Sequence, residues 1–309
     1  MKVAFKEIRF HRESMLMINR CNKVIEAYQA QGLRLTLRQL YYQFVSHNLF
    51  PESHKWLRNA NGKWVKNPAG TINAEPNYSW LSAIVSNGRL AGYVDWDAIE
   101  DRTRKPVYPG EFRDLRQLVE SAISCYRLPR WKGQKFYAEL WVEKDALAGV
   151  LEPLARQFHV TMMVNRGYSS QSAMFESAKR FMVSHENQEP ILFYLGDHDP
   201  SGEDMVRDIE DRLLMFGVSD IRVEKLALTM DQIVKYNPPP NPAKMKDPRA
   251  KGYVDIHGDS SWEVDALPPE VLAEIIHEAF SATIDQDKMD VIIKQEEKDK
   301  KKMRRIYER

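Results

Sequence analysis

Ile191-Leu-Phe-Tyr-Leu-Gly-Asp-His-Asp-Pro-Ser-Gly202 is the stretch on which the reading of this chain turns. Five apolar residues closed by a glycine predict a short buried strand, and two aspartates follow it just before a helix expected over residues 201–216. Upstream, Phe136-Tyr-Ala-Glu-Leu-Trp-Val142 repeats the pattern: an apolar strand, then Glu143, then an amphipathic helix over residues 145–158. Further strands are expected over 159–164 and 221–228, with a helix over 170–184 between them. Strands alternating with helices at this spacing predict a parallel α/β sheet covered on both faces.

In such sheets the functional crevice lies beyond the carboxyl ends of the strands, where the strand order reverses. Glu143, Asp197 and Asp199 all fall at strand ends of that kind. Three carboxylates gathered at one edge repel one another unless a hard divalent cation neutralises them. Magnesium, with manganese as a substitute, takes oxygen ligands and keeps waters and substrate phosphates in its remaining positions. Gly196 and Gly202 allow the backbone to turn tightly there, and His198, between the two aspartates, points away and is not counted as a ligand. Asp199 also reads as an ordinary helix N-cap. The expected metal ligands are Glu143, Asp197 and Asp199.

The first part of the chain reads differently. Apolar spacing predicts helices over about 11–30, from an N-cap at Thr36 to about 47, over 78–91 and over 111–126. Residues 51–76 are polar and turn-rich, a loop or an extended hairpin. Three short helices with a basic surface, the last followed by a turn-rich extended segment, fit a helix-turn-helix or winged-helix (CAP-like) domain. The net charge of +1 conceals an asymmetry: residues 1–130 hold 20 Lys and Arg against 12 Asp and Glu, and the remainder 25 against 32. A basic front and an acidic back suit a region that contacts nucleic acid joined to one that gathers carboxylates. Arg127 to Gly133 reads as a linker, so the expected organisation is a DNA-binding domain over 1–130, a metal-binding α/β domain over 134–284 and a charged, solvated or partner-binding helix over 285–309.

In the helix after Thr36, Leu37, Leu40, Tyr41 and Phe44 form one apolar stripe, which assigns Tyr41 to the core. Arg38 and Tyr42, four apart, share a different face. A tyrosine beside an arginine on a basic surface is a candidate nucleophile, although a phenol with a pKa near 10 needs help to attack a phosphodiester. Arg38 could stabilise the phenolate or the charge developing on phosphate.

These motifs resemble a known family. Glu143 after one strand and Asp197-His-Asp-Pro-Ser-Gly202 after another are similar to the Toprim fold, a Rossmann-like metal-binding domain, in the form it takes in the topoisomerase VI A subunit and the related meiotic double-strand-break protein. Ser201 occupies the place of the third acid of the wider Toprim pattern. Arg38-Gln-Leu-Tyr-Tyr42 resembles the arginine–tyrosine signature of the same family, with Tyr42 at the position of the DNA-linking tyrosine. The resemblance spans roughly residues 10–230 and looks like a compact relative of phage or mobile-element type. It implies a winged-helix domain followed by a Toprim domain, and magnesium-dependent cleavage of double-stranded DNA through a 5′-phosphotyrosine link. It also implies a dimer in which the tyrosine of one chain faces the metal of the other, a possible separate ATPase subunit, and a nucleoid-associated, cytoplasmic setting in a prokaryotic or phage-infected cell. Hydrolysis by a metal-activated water, or a DNA-binding subunit active only with a partner, are the alternatives.

Secondary candidates complete the list. Glu263 and Asp265 could bind a second metal or close the first site, though they also read as caps and surface charges before a helix over 269–279. Arg34, Arg89 and Arg166, with Arg102, Arg104 and Lys105, are candidate phosphate contacts. Cys21 and Cys125 are too few for a zinc ribbon or a disulfide framework, which argues against a primase. No apolar run is long enough to span a bilayer, and the opening residues are too charged for a signal peptide.

Overall fold

The computed structural model describes residues 1–101, 109–183, 188–245 and 247–307. The candidate phosphate contacts Arg102, Arg104 and Lys105 lie outside these residues. The amino-terminal part packs three helices, α1 (Arg12–Gln29), α2 (Leu37–Ser46) and α3 (Glu75–Leu90), around Met17, Ile18, Leu40, Phe44 and Leu81. Thr36 starts α2 through a reciprocal capping box with Gln39. The segment over 51–76 contains an antiparallel hairpin of β1 (Trp56–Arg58) and β2 (Trp64–Lys66). This hairpin lies between α2 and α3, whereas the winged-helix reading expected the extended segment after the third helix. Pro76 and Glu75 start α3 earlier than its apolar spacing indicates, because proline fits the first turn of a helix without loss of a hydrogen bond. Next comes α4 (Leu115–Cys125), capped by Asp114.

The rest is a mixed α/β unit. Its strands are β3 (Phe136–Val142), β4 (Thr161–Val164), β5 (Glu189–Leu195) and β6 (Arg222–Ala227). They form a wholly parallel sheet in the order β4-β3-β5-β6, connected by α5 (Ala148–Phe158), α6 (Gln171–Val183) and α7 (Pro200–Met215). Alternation along each strand sends residues to opposite faces. Leu140, Val142, Phe193 and Leu195 join the core that contains α5, while Trp141, Leu192 and Tyr194 join that of α6 and α7. One charge is buried within these layers: Glu139 on β3 accepts two hydrogen bonds from Arg180 of α6, at 2.8 and 2.9 Å, and one from Trp141 Nε1 at 2.8 Å. The strand expected from residue 159 begins only at Thr161, because His159 takes φ +55 to end α5.

After β6 come α8 (Met230–Tyr236), capped by Thr229 and Gln232, then β7 (Asn241–Pro242), α9 (Ala250–His257) and β8 (Ser260–Ser261). The last elements are α10 (Pro269–Thr283) and α11 (Gln286–Tyr307). Two expectations need correcting. The segment read as a linker is packed: Trp131 is buried and its Nε1 donates to the Phe158 carbonyl at 3.0 Å. The charged tail is not solely a solvated helix, since Glu296 of α11 is fully buried and accepts from both Arg130 and the Leu128 amide. No described helix is long and apolar enough to cross a membrane.

Candidate metal centre and tyrosine cavity

The sheet order places its switch point between β3 and β5, whose last residues, Val142 and Leu195, are paired in register. Glu143 and Asp197 therefore emerge side by side. The Glu143 amide donates to the Leu195 carbonyl at 2.8 Å, and Glu143 Oε2 accepts from the Asp197 amide at 2.9 Å. The carboxylate of Glu143 thus braces the loop that carries Asp197. Gly202 lets this loop close: a Cβ there would lie 2.2 Å from the Asp197 carbonyl oxygen. Its φ is not positive, so the requirement is for close approach and not for a left-handed turn.

Asp199 takes the helix-cap role that was one of its two expected readings. It caps α7, with Oδ1 accepting from the Gly202 amide at 2.7 Å and from Ser201 Oγ at 2.9 Å. Its other oxygen meets Lys244 Nζ at 3.0 Å. These partners outweigh burial and hold its pKa below the usual carboxylate value. His198 turns away as expected, its Nδ1 2.8 Å from the Tyr253 hydroxyl.

Asp197 instead meets Glu263 and Asp265. A two-way backbone bridge between His198 and Trp262, at 2.8 and 2.9 Å, carries the later segment to the strand end. The Val264 amide then donates to Asp197 Oδ1 at 3.0 Å. One oxygen from each of Asp197, Glu263 and Asp265 lies within 4.8 Å of the others. Glu263 and Asp265 are thus part of the first cluster and not a separate second one. Of the three acids expected to bind metal, only Asp197 lies in this cluster; Glu143 bonds the Asp197 amide, Asp199 caps α7, and Glu263 and Asp265 stand beside Asp197.

Two cations that sequence reading left out of this cluster hold it together. Lys144 Nζ lies 2.6 Å from Asp197 Oδ2 and 2.5 Å from Glu263 Oε2. Arg38 reaches over from α2 and bridges Glu263 at 2.5 Å and Asp265 at 2.7 Å. Counting Lys244, five carboxylates (Glu143, Asp197, Asp199, Glu263, Asp265) face three cations, a formal excess of two negative charges when every group is ionised. Burial, reinforced by Glu263 and Glu143 against the opposing Lys144, pushes Asp197 up to about 8. Burial also raises Asp265, with Arg38 opposing it. For Lys144, the pull of Asp197, Asp265 and Glu263 overcomes burial and holds the ammonium charged.

Tyr42 stands beside this network. Arg38 Nη2 donates to its hydroxyl at 3.3 Å, and the guanidinium lies 5.2 Å from its ring centre. Tyr42 is 5% exposed, and a cavity of about 890 Å³ is lined by Tyr42, Arg38, Asp197, Asp199 and Glu263 together. Burial first, then the charges of Asp265 and Glu263, raise the phenol pKa well above its usual value, with Arg38 and Lys144 opposing. Tyr41 sits in the core as expected, its hydroxyl donating to Asn73 Oδ1 at 3.0 Å.

The arginines divide. Arg166 is exposed and pairs with Asp145 at 3.2 Å on the rim of a neighbouring cleft that also holds Glu143 and Lys144. Arg34 is exposed. Arg89 is turned inward, donating to the carbonyls of Trp96 and Ile99. No protein-family model matches this sequence, and no curated protein matches it.

Proposed function

We propose that this protein is a divalent-metal-dependent enzyme that cuts DNA phosphodiester bonds, with magnesium held by Asp197, Glu263 and Asp265 and with Tyr42 as the nucleophile. The observation that carries this reading is the arrangement around Arg38, which touches the Tyr42 hydroxyl and two of the three carboxylates at once. The residues present suit a hard cation. All the candidate donors are oxygens, the cluster has excess negative charge, and Asp265 Oδ1 is buried without a hydrogen-bond partner. A bound divalent ion would orient substrate phosphate and offset the charge that disfavours a phenolate.

The chain's own residues do the rest. Arg38 holds the Tyr42 hydroxyl toward the cavity and is placed to stabilise charge on the attacked phosphate. Glu143 fixes the Asp197 loop through its amide, Lys244 adds positive charge at the cavity, and Lys144 pairs with Asp197 from the neighbouring cleft. Attack of the Tyr42 oxygen on phosphorus would form the phosphotyrosine bond and release one DNA strand end as a hydroxyl. The phenol proton passes to solvent or to the leaving oxygen.

The parallel sheet with acids at its switch point supports a Toprim-like reading of residues 134–284, and the basic helical front supports DNA binding by residues 1–130. Tyr42, Asp197 and Glu263 line one cavity, which supports the tyrosine and the acids acting on the same phosphate. A second reading, hydrolysis by a metal-activated water, is favoured by the burial and raised pKa of Tyr42. Incubating supercoiled DNA with the protein and magnesium, then denaturing with and without protease, tests both. Protein-linked ends that disappear in Tyr42→Phe support the transesterase. Free ends that persist in Tyr42→Phe overturn it in favour of hydrolysis.

A further inference from the structure

The hairpin that precedes α3 has no part in the chemistry above, yet it forms a wall of the same cavity through Trp56, Leu57, Arg58 and Trp64. Its register pairs Trp56 with Lys66 and Arg58 with Trp64, and residues two apart on a strand share a face. One face therefore presents two indoles and two cations in alternation. Arg58 stacks over the Trp64 ring at 4.7 Å, and Lys66 lies 5.5 Å from the centre of the Trp56 ring. Leu57 and Val65 occupy the opposite face.

The charge of this segment is unbalanced. Residues 53–74 contain Lys55, Arg58, Lys63 and Lys66 and no Asp or Glu. Lys55 pairs back to Glu52 at 2.7 Å, but among the described residues no carboxylate pairs with Arg58, Lys63 or Lys66. The hairpin is also anchored and not free to collapse. Trp56 exchanges two backbone hydrogen bonds with Thr71, both 2.8 Å, and its Nε1 donates to Asn77 Oδ1 at 2.8 Å. Gly70 permits this approach, since a Cβ there would fall 2.3 Å from the Trp56 carbonyl oxygen.

Aromatic faces interleaved with unneutralised cations stack bases and hold phosphates without reading sequence. In a duplex the base faces are covered by neighbouring bases, whereas an unpaired strand, or a base turned out of its stack, leaves them free to stack on an indole. We propose that the hairpin face of Trp56, Arg58, Trp64 and Lys66 binds a single nucleic-acid strand and leads it to the acidic centre. The direction of the strand rests on the reading of that centre as a phosphodiester site; the stacking does not.

The test uses the full chain in EDTA, so that binding is measured without cleavage. Fluorescence anisotropy compares labelled oligothymidylate, oligouridylate of the same length and a duplex of the same length. The single strand is expected to bind about tenfold more tightly than the duplex, with quenching of tryptophan fluorescence. The DNA and RNA strands then show whether the 2′-hydroxyl contributes. Trp64→Ala should weaken single-strand binding by about tenfold, Trp64→Phe should restore most of it, and Val65→Ala on the other face should leave it unchanged. Equal affinity for duplex, absence of binding, or an unaltered Trp64→Ala overturns the proposal. Asp197→Asn separates the two readings: it should abolish cleavage and keep strand binding, and strand binding that persists when no cleavage is ever seen rejects only the catalytic reading.

Discussion

Lys144 Nζ sits 2.6 Å from Asp197 Oδ2 and also contacts Glu263, so a tethered ammonium lies among the carboxylates proposed to hold a metal ion. Removing one partner of a buried ion pair leaves the other charge uncompensated, which costs about 3–5 kcal/mol. Lys144→Met should therefore lower metal-free stability by about 3 kcal/mol. A divalent cation then has less competition, so magnesium should raise the melting temperature of the variant more than that of the parent. Calorimetry with and without magnesium measures both effects. Equal magnesium shifts in the two proteins would remove Lys144 from the cation site.

Gly202 gives a steric test of the same loop. An added methyl would meet the Asp197 carbonyl oxygen at 2.2 Å and its carbon at 3.0 Å, both backbone atoms that cannot swing aside. Gly202→Ala should destabilise the fold by about 1–3 kcal/mol through overpacking and displace Asp197 from Glu263. Gly252, inside α9, has open space around its Cβ position, so Gly252→Ala should be neutral or stabilise by up to about 1 kcal/mol. Denaturant unfolding of the two variants, with magnesium titration of each, makes the comparison. If Gly202→Ala behaved like Gly252→Ala, the close approach would not be real.

Much of this was legible from the chain, and the rest failed for identifiable reasons. The apolar runs 136–142 and 191–195 mark the two strands, and Glu143 directly after the first and Asp197 one glycine after the second follow from them. Glu263 and Asp265 read in the sequence both as residues of a second or the first metal site and as caps and surface charges, because their arrival depends on the bridge between His198 and Trp262, a pairing of distant segments with no local signature. Helical spacing put Arg38 and Tyr42 on one face, but nothing local said that the acids would cover that face. Lys144 went unnoticed because a lysine after a strand is usually solvated. Of the two readings of Asp199, ligand and cap, the cap is seen directly in the bond from the Gly202 amide.

The charge-rich tail reads in the sequence as a solvated or partner-binding helix, and its burying partner, Arg130, lies in a segment that reads as a linker. That partnership makes a prediction for acid. Glu296 accepts from Arg130 at 3.1 and 2.9 Å, from the Leu128 amide at 3.1 Å and from Lys300 at 3.3 Å. These partners overcome burial and hold its carboxyl down at about 2, below the ordinary 4.5. A depressed acid stabilises the folded state above its unfolded pKa and loses that contribution as pH falls toward its folded pKa. A shift of this size corresponds to about 3 kcal/mol, and screening beside the part-exposed Arg127 cuts it to about 2 kcal/mol. The contribution should be complete at neutral pH and lost between about 4.5 and 2. In Glu296→Gln the loss should be present already at neutral pH, with Arg130 left without its counter-charge and α11 loosened from the segment that carries Leu128 and Arg130. Urea unfolding across that pH range should show the stability gap between parent and variant close as pH falls. A gap that stays constant with pH would mean that Glu296 is held by packing alone, and that the charge of Arg130 contributes nothing to docking the tail.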